Sequence, residues 1–235
     1  MLVGLKDWAK RGDSPLAQAL WRLAKAMRGG AVPVVPLLHK PLYALHLAIA
    51  GLFGNLTRAL YWTPLFQSRL EAPAANLYLY GGMPLVLGRL RLNFGADCRV
   101  SAQSTFSGRS SSEDPVLTVG RNVDIGWQTT IAVGRRVTIG DNVRIAGRAF
   151  LAGYPGHPLD AAQRAAGLPD TDDQIGDIVL EDDVWLATGV TVSAGVTIGR
   201  GTIVAAGSVV TKDLPAFVLA AGAPARVVRS LKSAE

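Results

Sequence analysis

The spacing of apolar residues divides the chain into two parts with different periods. From residue 180 onward, an aliphatic side chain recurs at every sixth position. The series consists of Leu180, Leu186, Val192, Ile198, Val204 and Val210. A period of six does not fit an α-helix of about 3.6 residues per turn. It also does not fit one long strand, because four glycines between residues 195 and 207 would interrupt it. The pattern therefore predicts short strands with a bend every six residues.

Three such sides would close a triangular coil, with the aliphatic residue inside and neighbouring coils paired in parallel. The same period appears earlier in the chain, in three shorter phases that begin at Phe94, Val119 and Val133. The stretches 108–115 and 153–174 leave the repeat, and we expect them to be loops. The second half is therefore predicted to be a parallel β-helix. A β-sandwich with fortuitous spacing is the alternative, but six consecutive matches argue against it.

The first third of the chain has a helical pattern. Ser14 and Pro15 form a good helix start, and Gly29 with Gly30 forms a good stop. One face of the predicted helix is apolar and consists of Leu16, Leu20, Leu23 and Met27.

A second, more apolar segment covers residues 41–62. Its part from 41 to 57 contains no charged residue, which places it at the lower edge of the length for a membrane span, about 17–25 residues. We expect Pro33, Pro36 and Pro41 to break the chain before this segment.

The positive charge lies in the same region. The chain has 235 residues and a formal net charge of +6. Residues 1–80 contain nine basic and three acidic residues, which accounts for the whole excess, whereas residues 81–235 are neutral. This distribution excludes a uniformly basic coat for nucleic acid. We therefore divide the chain into a helical module, 1–80, and a β-helix domain, 81–235, with a C-terminal tail at 214–235.

Three interpretations of residues 1–80 remain open. A basic amphipathic helix and an apolar hairpin could lie in an anionic membrane face. Alternatively, the helices could cap the coil or pack in a trimer interface, as amphipathic helices commonly do. A full transmembrane span is the third and weaker interpretation. The Trp, Tyr and basic residues that flank the apolar run favour the membrane surface.

Cysteine and the chain start bear on location. The one cysteine, Cys98, excludes an internal disulfide framework and a multi-cysteine metal site, and the repeat places it inward. Charges interrupt every apolar run near residue 1, which is not typical of a secretory signal. We expect a cytoplasmic protein, with attachment to the inner face of the cytoplasmic membrane through residues 1–80.

Histidine chemistry points to one loop. Of three histidines, His39 and His46 lie in the helical third, and His157 alone lies in the repeat half, within the loop 153–174. Imidazole is well matched to removing a hydroxyl proton near neutral pH. A zinc site of the γ-type carbonic anhydrase kind would need three histidines around the coil, so it fails on this count.

Four motifs occur in a fixed order. They are VTIGDNVRI at 137–145, GHPLD at 156–160, EDDVWLATGVTVSAGVTIGRGTIVAAGSVVTKDLP at 181–215 and AAGAPARVVR at 220–229. This order resembles the hexapeptide-repeat acetyltransferases, in particular the maltose, galactoside and colanic-acid types that acetylate sugars and polysaccharides. The resemblance covers about residues 85–230. It implies a left-handed parallel β-helix, a homotrimer, acetyl-CoA as donor and a hydroxyl acceptor, without a metal.

The resemblance also implies roles for individual residues. His157 matches the catalytic histidine. The positions that match donor contacts are Trp185, Thr188, Ala206, Thr211, Lys212, Arg226 and Arg229. The family's acceptor-contacting Asn and Asp are not reproduced here, which leaves Trp127 and Gln128 as weak acceptor candidates and favours a larger glycan over a small free sugar.

The predicted function is O-acetylation of a saccharide, such as a cell-surface polysaccharide or its precursor. Two alternatives remain, N-acetylation of a nucleotide-linked amino sugar and a non-catalytic, membrane-tethered solenoid.

Overall fold

The computed structural model describes residues 2–231, with side chains from residue 6 onward. The described residues form two compact units that meet in sequence between Gly51 and Leu52, and we describe each unit separately. The sequence placed the boundary between the two domains at residue 80, and that boundary stays a prediction. The predicted tail 214–235 ends in residues 232–235, which lie outside the described residues.

The N-terminal unit contains helix α1 (Leu2–Arg11) and helix α2 (Pro15–Gly29). The predicted start of α2 is confirmed, since the Ser14 side chain accepts a hydrogen bond from the Ala17 N–H at 3.2 Å, and Pro15 occupies the first helical position. The predicted apolar face of α2 is exposed in this single chain. Ala17 is the one buried residue among residues 6–51.

Helix α3 (Pro36–Thr57) corrects two predictions. Pro41 lies inside this helix and does not break the chain before it, and residues 41–57 form one continuous helix instead of an apolar hairpin. The helix begins at Pro36, where a missing N–H costs little, and Pro41 follows only five residues later. A π-helical turn (Arg58–Trp62) and helix α4 (Thr63–Gln67) continue it. Among the helices within residues 2–231, none combines the length and hydropathy needed to cross a membrane.

From residue 78 the chain winds into six coils. Coil 1 contains β1 (Tyr78–Tyr80), β2 (Leu85–Leu87) and β3 (Arg91–Phe94). Coil 2 contains β4 (Arg99–Ser101), β5 (Thr105–Gly108) and β6 (Val116–Val119). Coil 3 contains β7 (Asp124–Ile125), β8 (Thr130–Val133) and β9 (Arg136–Ile139). Coil 4 contains β10 (Arg144–Ile145), β11 (Phe150–Ala152) and β12 (Ile178–Leu180). Coil 5 contains β13 (Trp185–Leu186), β14 (Thr191–Ser193) and β15 (Thr197–Ile198). Coil 6 contains β16 (Ile203–Val204) and β17 (Val209–Val210), and in place of a third strand Leu214 forms a single β-bridge to Ile198.

The coils stack into three parallel sheets, so the predicted parallel β-solenoid is confirmed. The first, second and third strands of successive coils form the first, second and third sheets. We call the bends after them the first, second and third corners. All six members of the series that begins at Leu180 are fully buried, as expected if the six-residue period directs them inward. Cys98 is also fully buried, and burial raises the pKa of its thiol.

The third corner is a stack of turns with left-handed backbone. Asn122, Asn142 and Asp183 occupy equivalent positions with φ of 54°, 58° and 61°, a conformation that Asn and Asp tolerate well. Their side chains continue the stack, because the Asn122 amide donates to Asn142 Oδ1 at 2.9 Å and the Asn142 amide donates to Asp183 Oδ1 at 3.0 Å. The Asn of the GDN motif is thus explained by the corner itself.

Each end of the solenoid is covered by a different element. At the first coil, Phe66 of α4 is buried and packs edge-on against Phe94 with ring centroids 5.7 Å apart. At the last coil, strand β18 (Val218–Gly222) adds to the first sheet in parallel, and β19 (Ala225–Ser230) pairs with β18 in the antiparallel direction.

Two buried polar residues, Thr202 and Ser208, belong to this last covering. Thr202 is fully buried, and its hydroxyl donates to the Pro215 carbonyl at 2.6 Å while accepting from the Val218 N–H at 3.3 Å. Ser208 accepts from the Gly222 N–H at 3.1 Å. The hydroxyls therefore hold the terminal hairpin, where no further coil follows.

Candidate functional site

Two insertions leave the solenoid at the second corner. Residues 109–115 connect β5 to β6 in coil 2, and residues 153–177 connect β11 to β12 in coil 4. The longer insertion extends three residues past the predicted loop 153–174 and contains helix α5 (Ala161–Ala165) and a 3₁₀ turn (Asp172–Gln174). Because both insertions leave at the same corner, their residues can meet across coil 3.

They meet at Arg109, whose side chain is only 4% exposed. Its Nε donates to Asp170 Oδ1 at 2.6 Å, its Nη2 donates to the Asp170 carbonyl at 2.7 Å, and its Nη1 donates to Asp172 Oδ1 at 2.7 Å. Burial lowers the pKa of Arg109, but the hydrogen bonds and charges of the two aspartates outweigh it and raise the pKa overall. The arginine therefore stays charged and joins the two insertions.

The buried pair also reaches the backbone next to His157. Asp170 Oδ2 accepts a hydrogen bond from the Gly156 N–H at 2.9 Å. On the other side, the Gln174 amide donates to the His157 carbonyl oxygen at 3.3 Å. Within residues 2–231, the imidazole ring of His157 has no hydrogen bond to protein, and the residue is exposed. The site thus holds the backbone of a solvent-facing histidine whose ring nitrogens are free to contact a ligand.

A cavity of about 740 Å³ lies beside this junction, and its wall includes Arg109, Ser112, Arg136 and Asp172. The cavity is polar, and His157 is not among the residues that line it. It belongs to the outer face of the third sheet, so we assign it no part in the chemistry of the histidine.

The predicted donor contacts lie in the last two coils. Thr188 and Ala206 occupy equivalent positions of the first corner in coils 5 and 6, where the Gly207 N–H donates to the Thr188 carbonyl at 2.9 Å. Trp185 precedes them on β13 and is 48% exposed. These residues leave a narrow surface of small side chains beside one aromatic ring.

The four remaining donor candidates include the three that are positively charged. Thr211 and Lys212 follow β17 and are exposed. Arg226 and Arg229 lie on β19 and are exposed, and Arg226 Nη1 donates to the Ala225 carbonyl at 2.9 Å. Exposed Lys and Arg side chains of this kind can pair with phosphate.

The two acceptor candidates lie on the first corner of coil 3. The Trp127 indole lies directly on Gly147 of coil 4, where an added Cβ would come within 2.5 Å of the indole Nε1. The Arg148 guanidinium lies over the Trp127 ring, with Cζ 5.1 Å from the centroid, and its Nε donates to Gln128 Oε1 at 3.3 Å. The result is an aromatic surface with a polar, positively charged edge.

Residues 177–212 match the family model described as bacterial transferase hexapeptide (six repeats). The solenoid is a hexapeptide-repeat structure. The resemblance predicted from the sequence is therefore confirmed, on coils 4 to 6 in particular.

The hexapeptide solenoid has a curated relative, the galactoside O-acetyltransferase of Escherichia coli (strain K12). It is 38% identical over 113 residues, which cover 48% of this chain and 53% of the relative. The chain thus matches about half the length of that relative.

Solved structures of AntD, an N-acyltransferase from Bacillus cereus, share the fold. A variant in complex with dTDP-4-amino-4,6-dideoxyglucose and coenzyme A is 18% identical, with a TM-score of 0.57, and the match covers 72% of this chain and 88% of AntD. AntD with dTDP and 3-hydroxybutyryl-CoA is 16% identical, also with a TM-score of 0.57, covering 72% and 87%.

Only some predicted site residues come together in a single chain. Trp127, Gln128, Thr188 and Ala206 share the first corner of the hexapeptide solenoid, whereas His157 lies on the insertion at the second corner. No hydrogen bond within residues 2–231 joins the His157 ring to a predicted donor contact, and no group of His, Cys, Asp or Glu in that range could hold a metal ion.

Sequence reasoning missed Arg109, Arg148, Asp170 and Gln174. The signal for Arg109 was its place at the start of one predicted loop, and for Asp170 its place near the end of the other. Both predicted loops leave the repeat at the same corner, two coils apart. This shared position would have predicted that Arg109 and Asp170 lie close together. Arg148 carried a weaker signal, since it follows the glycine on which Trp127 packs.

Proposed function

We propose that this chain transfers an acetyl group from acetyl-CoA to a hydroxyl of a saccharide, such as a cell-surface polysaccharide or its precursor. The observation that carries the proposal is the exposed His157 ring on an insertion of a hexapeptide-repeat solenoid, with its backbone held on both sides. The galactoside O-acetyltransferase relative supports an O-acetyl product, and the coenzyme A complexes of AntD support a CoA-linked donor.

In this proposal His157 is the general base. A ring nitrogen takes the proton from the acceptor hydroxyl as the oxygen attacks the thioester carbonyl carbon. The tetrahedral intermediate collapses, the carbon–sulfur bond breaks, and the imidazolium returns the proton to the leaving coenzyme A sulfur. Cys98 takes no part, because it is buried and its thiol pKa is raised.

The donor is proposed to follow the last two coils. Small residues such as Ala206 allow a slender pantetheine chain to lie close to the backbone, next to Thr188 and Trp185. Lys212 is proposed to meet the phosphate groups of the donor, with Thr211 beside it. The exposed pair Arg226 and Arg229 is proposed to meet the nucleotide phosphates.

The acceptor is proposed to contact Trp127 and Gln128. An exposed indole presents an apolar face to the C–H groups of a sugar ring, and the adjacent Gln128 and Arg148 offer hydrogen bonds to its hydroxyls. This surface is open, which favours an extended glycan.

The decisive experiment is His157→Ala with labelled acetyl-CoA and candidate cell-envelope glycans. General-base catalysis contributes about 10²–10⁴-fold, so we expect a loss of that size in the transfer rate with the unfolding midpoint unchanged. His46→Ala, which removes an exposed histidine of α3, is the matched control. Unchanged turnover in the His157 variant would exclude the proposed base.

N-acylation is the second candidate, and the AntD complex with an amino sugar favours it. The product distinguishes the two, because mild base hydrolyses an ester and leaves an amide intact. If the chain neither transfers acetyl groups nor binds acetyl-CoA in calorimetry, the non-catalytic solenoid interpretation holds instead.

We also propose a homotrimer. The six strands of the second sheet contain no charged residue and expose Leu85, Leu87 and Phe150, which suits a face that is covered in an assembly. Analytical ultracentrifugation is expected to give three times the chain mass of 24.7 kDa. Phe150→Asp should reduce it, and Leu159→Asp, on the exposed insertion, should not.

Residues 1–80 are proposed to attach the enzyme to the inner, anionic face of the cytoplasmic membrane. Helix α2 exposes Leu20 and Leu23 next to basic residues, and α3 exposes large apolar side chains along its length. The double variant Leu20→Glu with Leu23→Glu should lose binding to phosphatidylserine vesicles, and Leu159→Glu should not. If the unaltered chain never binds such vesicles, the helices have another role.

A further inference from the structure

We propose that Arg109, Asp170 and Gln174 form a clamp that positions the His157 imidazole for proton transfer. The inference rests on the proposed function, and it assigns positioning residues that the sequence resemblance does not contain. Its basis is a set of hydrogen bonds that connects coil 2, two coils away, to the backbone on both sides of His157.

The first half of the clamp is the buried ion pair. Arg109 and Asp170 have side chains that are 4% and 3% exposed, and a charge pair so deeply buried persists only when its hydrogen-bonding groups are satisfied. They are satisfied here, since Arg109 reaches both the carboxylate and the carbonyl of Asp170. A guanidinium fork with two such bonds fixes direction as well as distance.

Asp170 connects the ion pair to Gly156, the residue before His157. The carboxylate oxygen that Arg109 does not use accepts from the Gly156 N–H at 2.9 Å. Gly156 has φ of +82°, a backbone conformation that a residue with a Cβ rarely adopts. The ion pair therefore holds an unusual turn immediately before the histidine.

The second half of the clamp is Gln174. Its Oε1 accepts from the Thr171 N–H at 3.0 Å and from the Thr171 hydroxyl at 2.9 Å, a capping box that fixes the side chain. The amide nitrogen is left to donate to the His157 carbonyl. The peptide groups on both sides of the Gly156–His157 unit are thus held, which restricts where the imidazole can point.

One variant can remove the contact that positions His157 without disturbing the fold of the insertion. Gln174→Glu keeps an acceptor for Thr171, and Glu is a natural capping-box residue, but it loses the donor to His157. We expect kcat to fall about 10-fold or more, because a misplacement of a reacting group by about 1 Å can cost about 10²-fold in rate. The KM for acetyl-CoA and the unfolding midpoint should stay unchanged. Gln163→Glu, an exposed position of α5 in the same insertion, is the matched control.

Asp170→Asn tests the ion pair. We expect a larger fall in kcat and faster hydrogen exchange of the Gly156 amide, measured by NMR on the full chain. Arg91→Gln is its control, because Arg91 also bridges two carboxylates, Glu71 and Asp114, but is half exposed. If Asp170→Asn does not fold, Gln174→Glu still decides the question.

Unchanged kcat in Gln174→Glu, or a Gly156 amide that exchanges freely in the unaltered protein, would overturn the clamp. The exchange measurement does not depend on activity. A protected Gly156 amide in a protein without transferase activity would therefore leave the clamp geometry standing while the proposed function fails.

Discussion

The solenoid and the helices of residues 2–51 are both rich in apolar residues, but only the solenoid buries them. Its interior positions, such as Leu186 and Val192, are fully buried by the coils above and below. In the helices Leu37 is 90% exposed and Met27 is 69% exposed. The difference teaches that a period of six builds its own core from repeats, whereas these helices build no such core and leave their apolar faces exposed.

The largest expected effect compares two phenylalanines of the helical segments, Phe66, which is buried against the solenoid, and Phe53, which is exposed. Phe66→Ala should lower the free energy of unfolding by about 3–5 kcal/mol, because it empties a buried site against the first coils. Phe53 is 64% exposed on α3, and Phe53→Ala should change it by less than about 0.5 kcal/mol. Urea denaturation followed by circular dichroism measures both. Equal effects would contradict the contrast.

The next effect concerns a buried hydroxyl at the last coil. Thr202→Val keeps the shape but leaves the Pro215 carbonyl without its donor, which should cost about 1–3 kcal/mol. Val184→Thr, at the equivalent position one coil earlier, is the reverse change and should also destabilise, since its hydroxyl would be buried without this partner. A stabilised Thr202→Val protein would show that the hydroxyl does not hold the hairpin.

A smaller effect separates two tryptophans of similar exposure. Trp127 and Trp8 are 44% and 42% exposed. Trp127→Ala should raise the KM for the glycan acceptor by about 2–5-fold, because it removes an exposed aromatic contact, and should leave vesicle binding unchanged. Trp8→Ala should weaken vesicle binding and leave KM unchanged. Steady-state kinetics and vesicle sedimentation give the two readouts, and crossed results would reverse the assignment of the surfaces.

The smallest effect is the acid dependence of the third corner. The backbone N–H and then the side chain of Arg121 hold the pKa of Asp141 below its usual range. The folded state therefore favours the carboxylate, so its contribution is present above the unfolded pKa of about 3.9 and is lost as the pH falls through the lowered folded pKa. Asp141→Asn should flatten the stability profile in that acid range. NMR titration of the carboxyl carbon checks the pKa itself.

Much of the fold was accessible from the sequence because the repeat is one-dimensional. Once Leu180 and its successors are directed inward, the strands, the corners and the burial of Cys98 follow. The start of α2 followed from Ser14 and Pro15, which are local signals. The prediction that Pro41 breaks the chain was wrong, because a proline near the start of a helix is tolerated and the sequence does not show where this helix begins.

The candidate site was less accessible. His157 was identifiable from its loop and its chemistry, but Arg109 and Asp170 are 61 residues apart and meet only through the stacking of coils. Arg148 shares a corner with Trp127 for the same reason. To predict which residues of two insertions meet, one must know how the coils are aligned. Loop residues outside the repeat have no periodic pattern, so the sequence does not show their positions relative to the coils.

The antiparallel strand β19 has a consequence for self-association. A parallel solenoid ends in a strand whose free N–H and C=O groups can template another strand, and stacked repeats could then continue from molecule to molecule as a fibre. β19 covers the edge of β18 in the reverse direction, so a further coil cannot follow in register. Its outer edge carries Arg226 and Arg229, and charged side chains on an edge strand oppose strand addition. The two arginines would thus oppose the addition of another molecule's strand at this edge of the solenoid.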